Sequence, residues 1–311
     1  MQIDRLSLRG FRNYEDAQAQ FVPGVNLLVG GNANGKTNLL EAVSYLSTGR
    51  SFRTRREAEL IRFGADFAEL RAQVQSQERT RELRAVLFSG RRPRQLWLAG
   101  VKQRSRAALP ACLRACCSCP EDLMILKKGA SGRRRLMDGV ICQLRPNYEA
   151  ALAEYGRLLD QKSALLRERY DNPSLLQVLP EYDLRMAQTG ALVISYRARY
   201  VKALAQEAAR YHREFSGDSE TLELTYRTVS TVTDPFDPAR DALRPASRSI
   251  SAATPAPSSR DAQCLSGPHK DDFEAVINGL PVAQFASQGQ TRTAVISLKL
   301  AERALLRQGT G

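Results

Sequence analysis

Gly30, Gly31, Asn32, Ala33, Asn34, Gly35, Lys36 and Thr37 follow the pattern G-x-x-x-x-G-K-[ST] without a gap. Each type has a task at that spacing. The glycines let backbone N–H groups close around phosphate oxygens, the lysine reaches the β and γ phosphates, and the following hydroxyl holds Mg2+. The run therefore predicts a nucleotide phosphate site with Thr37 as its metal-holding residue. Its flanks must position it. Before it, Val25-Asn26-Leu27-Leu28-Val29 is apolar and β-prone, which predicts a buried strand. After it, Leu39, Leu40, Val43 and Leu46 recur at helical spacing and Thr48-Gly49 supplies a stop. The predicted helix would add its positive N-terminal end to the phosphate site.

A second helix start lies about 250 residues downstream, at Ser287-Gln288-Gly289-Gln290-Thr291-Arg292, with Ala294, Leu298, Ala301 and Leu305 on one face. Unpaired N–H groups and a serine hydroxyl can receive an anion there. Ordinary helix capping uses the same residues, so alone the feature is weak; a phosphate loop in the same chain gives it weight.

The 311 residues are long for one core and predict two domains, or one α/β domain carrying a large insertion. Lys and Arg number 46 against 33 for Asp and Glu, a net charge of +13. Much of the excess is clustered in the first half: Arg53, Arg55 and Arg56; Arg91, Arg92 and Arg94; Lys102, Arg104 and Arg106; Lys127, Lys128 and Arg133 to Arg135. Such clustering predicts a polyanion partner, because neutralised phosphates release condensed counterions; solvated surface charge is the plain alternative. No apolar run approaches the ~18 residues that span a bilayer, and the N-terminus lacks a signal-peptide layout, so no membrane association and a cytoplasmic location are expected. Four of six cysteines, Cys112, Cys116, Cys117 and Cys119, crowd one stretch. Four ligands that close are awkward for a zinc tetrahedron, and small apolar filling of a buried strand is the preferred reading over zinc or redox chemistry.

Leu6 and Leu8 alternate in an opening strand, and residues 69–97 predict two or three antiparallel strands with Ser89-Gly90 as a turn. From Pro120 the pattern turns helical, through Tyr148, Leu152, Tyr155, Leu158, Leu159 and Leu165, then Leu184, Ala187, Ala191, Ile194, Tyr200, Val201 and Leu204. Strand alternation returns at Leu222 to Tyr226. Residues 233–262, rich in Pro, Ser, Ala and Arg, predict a mobile loop.

Six blocks, in order, closely resemble the RecF family of the SMC-like branch of ABC-type ATPases. They are Leu8 to Tyr14, Gly35 to Ala42, Gly49 to Arg53, Pro120 to Leu123, Gly267-Pro268-His269-Lys270-Asp271-Asp272, and Ser287 to Arg292. The third and fifth are specific to that family rather than to phosphate-loop proteins at large. The resemblance implies an α/β fold, a P-loop ABC-type ATPase head with a mixed β lobe and an inserted helical lobe. Residues 1–119 would form the first part of the ATP-binding lobe, 120–216 the helical lobe, and 217–311 the second part. It also implies ATP and Mg2+ as cofactors, with Lys36 and Thr37 acting in cis and Arg12 and Asn13 near the nucleotide. Ser287, Gly289 and Gln290 would meet the γ-phosphate of ATP bound to a partner subunit, so ATP would drive a homodimer. Implied partners are single-stranded or gapped DNA and the mediator proteins RecO and RecR, in fork repair and SOS induction.

ABC-type heads place an aliphatic strand ending in Asp, then a water-orienting acid, after the second helix. No such element precedes Gly311, and Asp271-Asp272 follows His269-Lys270 rather than an aliphatic run. The expectation is a chain cut short before that element, with no catalytic acid of its own, slow or absent hydrolysis, and apolar sheet surface left exposed. A binding module in which nucleotide serves only as a dimerising ligand is the rival reading. A transporter ATPase subunit would share the loop but lack the basic clusters and the Gly267 to Asp272 block.

Overall fold

The computed structural model describes residues 1–76, 79–168, 172–229, 232–238 and 267–309. It divides into two compact units, Met1–Cys117 and Ser118–Gly311. Most of the expected loop, including Pro245, Pro255 and Pro257, lies outside the described residues.

In the first unit β1 (Gln2–Phe11), β2 (Tyr14–Gln20), β3 (Phe67–Ser76), β4 (Arg79–Phe88), β5 (Gln95–Leu98) and β6 (Val101–Gln103) form one sheet in the order β2-β1-β3-β4-β5-β6. Every ladder is antiparallel. Period-2 alternation sends Leu6, Leu8, Leu70, Ala72, Val74, Leu83, Ala85 and Leu87 into one core. Helix α1 (Lys36–Thr48) contributes Ala42, Tyr45 and Leu46 to it. The helix stops at Gly49, which takes φ 64° and donates its N–H to the Tyr45 carbonyl at 2.7 Å. Leu40, expected on the apolar face, is exposed; Glu41 is buried in its stead.

Two expectations fail here. Val25–Val29 is not a strand, and Val25, Leu27 and Val29 are 92%, 83% and 83% exposed. A β-prone run becomes a strand only against a neighbour that completes its ladder, and no described strand pairs with it. The Asn26 amide instead bonds the N–H and carbonyl of Val22, at 3.0 and 2.8 Å. The cysteine stretch is also irregular rather than a strand: Cys112 fills the core, while Cys116, Cys117 and Cys119 are only partly buried. Among the described residues no three His, Cys, Asp or Glu side chains gather as a metal-holding set.

The second unit carries α2 (Ala130–Leu144), α3 (Pro146–Glu168) and α4 (Leu179–Ser216), then a three-stranded sheet of β7 (Leu222–Arg227), β8 (Asp272–Ile277) and β9 (Leu280–Pro281), and α5 (Gln288–Gln308). Helix α4 packs on α3, α5 and β7. Its buried stripe includes Ala187, Ala191, Ile194, Tyr200, Val201 and Leu204, while Leu184 is exposed at the helix's N-terminal end. No helix is long and apolar enough to cross a membrane among the described residues.

Candidate nucleotide site

Residues 30–34 run exposed from the end of the apolar segment into α1, with Ala33 and Gly35 in the left-handed region at φ 66° and 93°. Gly35 is the residue before the first helical turn, and no side chain caps that end. Its N–H groups are therefore left for a ligand. Lys36 crosses the loop and donates from Nζ to the carbonyls of Gly30 and Gly31, both at 2.7 Å. Thr37 is exposed at the start of α1.

The hairpin between β1 and β2 supplies the loop's neighbour. Phe11 pairs with Tyr14, so Arg12 and Asn13 form a two-residue turn, with Arg12 at φ 54°. Tyr14 donates its hydroxyl to the Gly35 carbonyl at 3.1 Å. A methyl group on Gly35 would lie 2.8 Å from both the Tyr14 hydroxyl and Asn13 Oδ1, so glycine is required by space as well as by φ. Asn38 donates to Asn13 Oδ1 at 2.8 Å.

Behind the loop sits Glu41, fully buried on α1. Arg12 grips it twice, Nε to Oε2 at 2.9 Å and Nη2 to Oε1 at 2.7 Å, and donates Nη1 to the Glu59 carbonyl. Ser51 donates its hydroxyl to the same carboxylate, and Arg53 reaches it at 3.4 Å while bonding Asn38 Oδ1 at 2.7 Å. A buried carboxylate needs such partners, and bidentate arginine is the strong form. The first block, the phosphate loop and the Gly49 to Arg53 block are thus bound through one acid. The sequence carried little signal for it, because Glu41 lies off the apolar face set by Leu39, Val43 and Leu46.

The fifth block is the corresponding knot of the second unit. Asp271 is buried and accepts from Arg197 Nη1 at 3.0 Å, from Thr228 at 2.7 Å and from the Tyr226 hydroxyl. Arg197 also holds Asp138 at 2.9 and 3.1 Å and the Pro268 carbonyl at 2.6 Å. Burial pushes the Asp271 carboxyl above its usual range, against the opposing pull of Arg197 and of its hydroxyl partners. Asp272 takes a bidentate arginine from Arg133, at 2.6 and 2.8 Å. His269 Nδ1 lies 2.8 Å from the Tyr155 hydroxyl.

At the start of α5, Ser287 and Gly289 are exposed. Ser287 Oγ accepts the Gln290 N–H at 3.2 Å, and Gln290 Oε1 accepts the Ser287 N–H at 2.9 Å. This is a reciprocal capping box. The half-buried Gln290 side chain therefore turns back on its own helix.

A family model for the RecF/RecN/SMC N-terminal domain matches residues 2–89. The DNA replication and repair protein RecF of Symbiobacterium thermophilum is 37% identical over all of this chain and 82% of its own length. That of Gloeobacter violaceus is 35% identical, again over all of this chain and 82% of its length. The chain belongs to the RecF family. A solved structure of the recombination mediator protein RecF-ATPrS in the RecFOR pathway superposes with a TM-score of 0.89 at 29% identity, covering all of this chain and 82% of that one. A companion structure of RecF-ATP gives 0.87, at 29% identity over 99% and 82% of the two chains. The fold is accordingly the ABC-type ATPase head that RecF proteins share with SMC proteins. Three of the blocks that carry the RecF resemblance meet at Glu41, and a fourth contains Asp271.

The loop fits a nucleotide phosphate chain. Gly30 and Gly31 carry no side chain to bar its mouth, the helix end is open, and a cation lies across it. Residues 30–36 would hold the phosphates and Thr37 the Mg2+. Several clustered arginines are committed internally: Arg53 to Glu41, Arg94 to Glu57, Arg133 to Asp272. Arg55, Arg56, Arg91, Arg92, Lys102 and Arg104 stay exposed in the first unit.

Proposed function

We propose that this chain is an ATP-binding, DNA-binding protein of recombinational repair, replication-fork maintenance and SOS induction, acting in the cytoplasm with RecO and RecR. One observation carries the nucleotide part. A complete phosphate loop opens α1 with Lys36 laid across its mouth and Gly35 seated where no Cβ fits. In this reading Lys36 and residues 30–35 bind the phosphates, Thr37 takes Mg2+, and Arg12 and Asn13 shape the nearby wall from the hairpin. Ser287, Gly289 and Gln290 complete the site for the γ-phosphate of a partner subunit's ATP. Bound Mg-ATP supplies the negative charge that draws the two surfaces together. Residues 1–119 and 217–311 form the ATP-binding lobe and 120–216 the helical lobe. Exposed arginines of the first unit track single-stranded or gapped DNA by its phosphates, without base contacts.

The test separates the two surfaces. Lys36→Ala should abolish binding of a fluorescent ATP analogue and ATP-dependent dimerisation together. Ser287→Ala should spare analogue binding to the single chain and weaken dimerisation alone. Dimerisation that survives Lys36→Ala would sink the reading.

Nucleotide as an assembly ligand without turnover is the second reading. What favours it is that Glu41, the acid that α1 carries next to the loop, is fully buried and engaged by Arg12, Ser51 and Arg53. Phosphate release measured with and without DNA decides between them, with Lys36→Ala as the blank.

A further inference from the structure

The Gln290 side chain has a second partner. Its Nε2 donates to Glu220 Oε1 at 2.8 Å, and Glu220 Oε2 lies 3.0 Å from His212 Nε2. The Gln290 amide has one possible orientation here. Its oxygen must face the Ser287 N–H, so its NH2 faces the carboxylate. His212 is fully buried near the C-terminal end of α4, and its Nδ1, also buried, has no hydrogen-bond partner among the described residues. A carboxylate oxygen can only accept, so the proton lies on Nε2 and the ring is a dedicated donor to Glu220. Glu220 in turn follows the Gly217 cap and donates its N–H to Ser216 Oγ at 3.3 Å, which places it at the turn into β7.

We propose that Glu220, oriented by His212, is a positioning residue that fixes the first turn of α5 through the Gln290 amide. The proposal rests on the reading of that turn as the surface offered to a partner's ATP, and extends it to two residues that touch no phosphate themselves. The chain of bonds runs from His212 to Glu220, from Gln290 to the same Glu220, and from the Ser287 N–H to Gln290. Ser287 Oγ is held as an acceptor by the Gln290 N–H, which leaves its proton available to a ligand, and the exposed Ser287 and Gly289 lie on one fixed turn. Without Glu220 the glutamine has no charged acceptor and its rotamers open, and the capping box must hold itself. A hydrogen bond to a charged acceptor is among the stronger ones, and its loss should loosen the turn about tenfold.

Hydrogen exchange on the ligand-free 311-residue chain reads this directly. Glu220→Ala should speed exchange of the Ser287 and Gln290 amides about tenfold while leaving β3 and β4 unchanged. Glu220→Gln keeps an oxygen acceptor for Gln290 and should restore most of the protection. Gln290→Met removes the acceptor of the Ser287 N–H outright and marks the fastest exchange expected there; Glu220→Met, close in volume and without an acceptor, covers the case in which Glu220→Ala fails to fold. In an ATP-dependent dimerisation assay Glu220→Ala should raise the dissociation constant about tenfold, with unaltered binding of a fluorescent ATP analogue to the single chain. That effect should vanish in a Gln290→Met background. Unchanged exchange at Ser287 in Glu220→Ala or Glu220→Met would overturn the proposal, as would a dimerisation loss of full size in the double variant. Failure of the unmodified chain to dimerise would count against the ATP-pairing reading alone, and the exchange measurements would still decide whether Glu220 positions the turn.

Discussion

Glu41 and Asp271 are the side chains whose removal should cost most, because each is the only fully buried acid in its knot. Deleting either acid takes the acceptor from several buried or half-buried donors and leaves an arginine with one charge partner fewer, which costs about 3–5 kcal/mol. Glu41→Ala should therefore lower the melting temperature sharply and also free Arg12, so weaker nucleotide binding should accompany it. Glu41→Gln, which keeps the acceptor oxygen, should be milder in both measurements. Gly35→Ala is the steric counterpart: at φ 93° and 2.8 Å from two polar atoms, an added methyl must push the hairpin from the loop. Nucleotide affinity should fall with little change in far-UV circular dichroism. At this scale the loop residues 30–37 stood out, since the pattern of a phosphate loop is written contiguously. Glu41 and Glu220 were not picked out, because their partners come from distant segments and a lone glutamate in a helix or turn ordinarily reads as a solvated charge.

Among elements, the alternating strands β1, β3, β4 and β7 could be read from Leu6, Leu8 and the runs near residues 69–97 and 222–226, because one buried face writes its period into the sequence. Val25–Val29 carried an equally strong apolar signal and misled. Its composition suits a sheet, but pairing is decided by what lies beside it, which a local window does not contain. The Gly267 to Asp272 block could be recognised but not explained from sequence; its meaning lies in Arg197, Asp138, Tyr226 and Thr228, spread over α4, α2 and the end of β7. Asp271→Ala should destabilise the second unit by about 3–5 kcal/mol, seen in denaturant midpoint. An Asp271→Asn variant, which keeps an acceptor oxygen and strands no carboxylate, should recover part of that loss, whereas Arg197→Met would also take the bidentate arginine from Asp138. An Asp271→Asn variant no better than Asp271→Ala would show that the charge paired with Arg197, rather than the bonds from Tyr226 and Thr228, dominates the cost.

On the scale of the molecule, the exposed Val25, Leu27 and Val29 form an apolar stretch beside residues 30–35, and exposed apolar surface of that kind favours association with other chains. Replacing Val25 and Leu27 with Thr and Lys should raise solubility, measured as the monomer fraction by size-exclusion chromatography, with the melting temperature unchanged. A net charge of +13 should give DNA binding that weakens steeply with salt. Arg91→Glu with Arg92→Glu should lower affinity across sequences alike and flatten that slope. Finally, Lys36 already donates to the carbonyls of Gly30 and Gly31. A long cationic side chain normally surrenders rotational freedom when it meets its ligand; this one has surrendered it beforehand, to its own loop. On the proposed reading, nucleotide capture would be an exchange of partners, with a small entropic penalty and a modest enthalpic gain. Titration calorimetry on the native chain should record that balance, and both quantities would be larger in a loop whose lysine swings free.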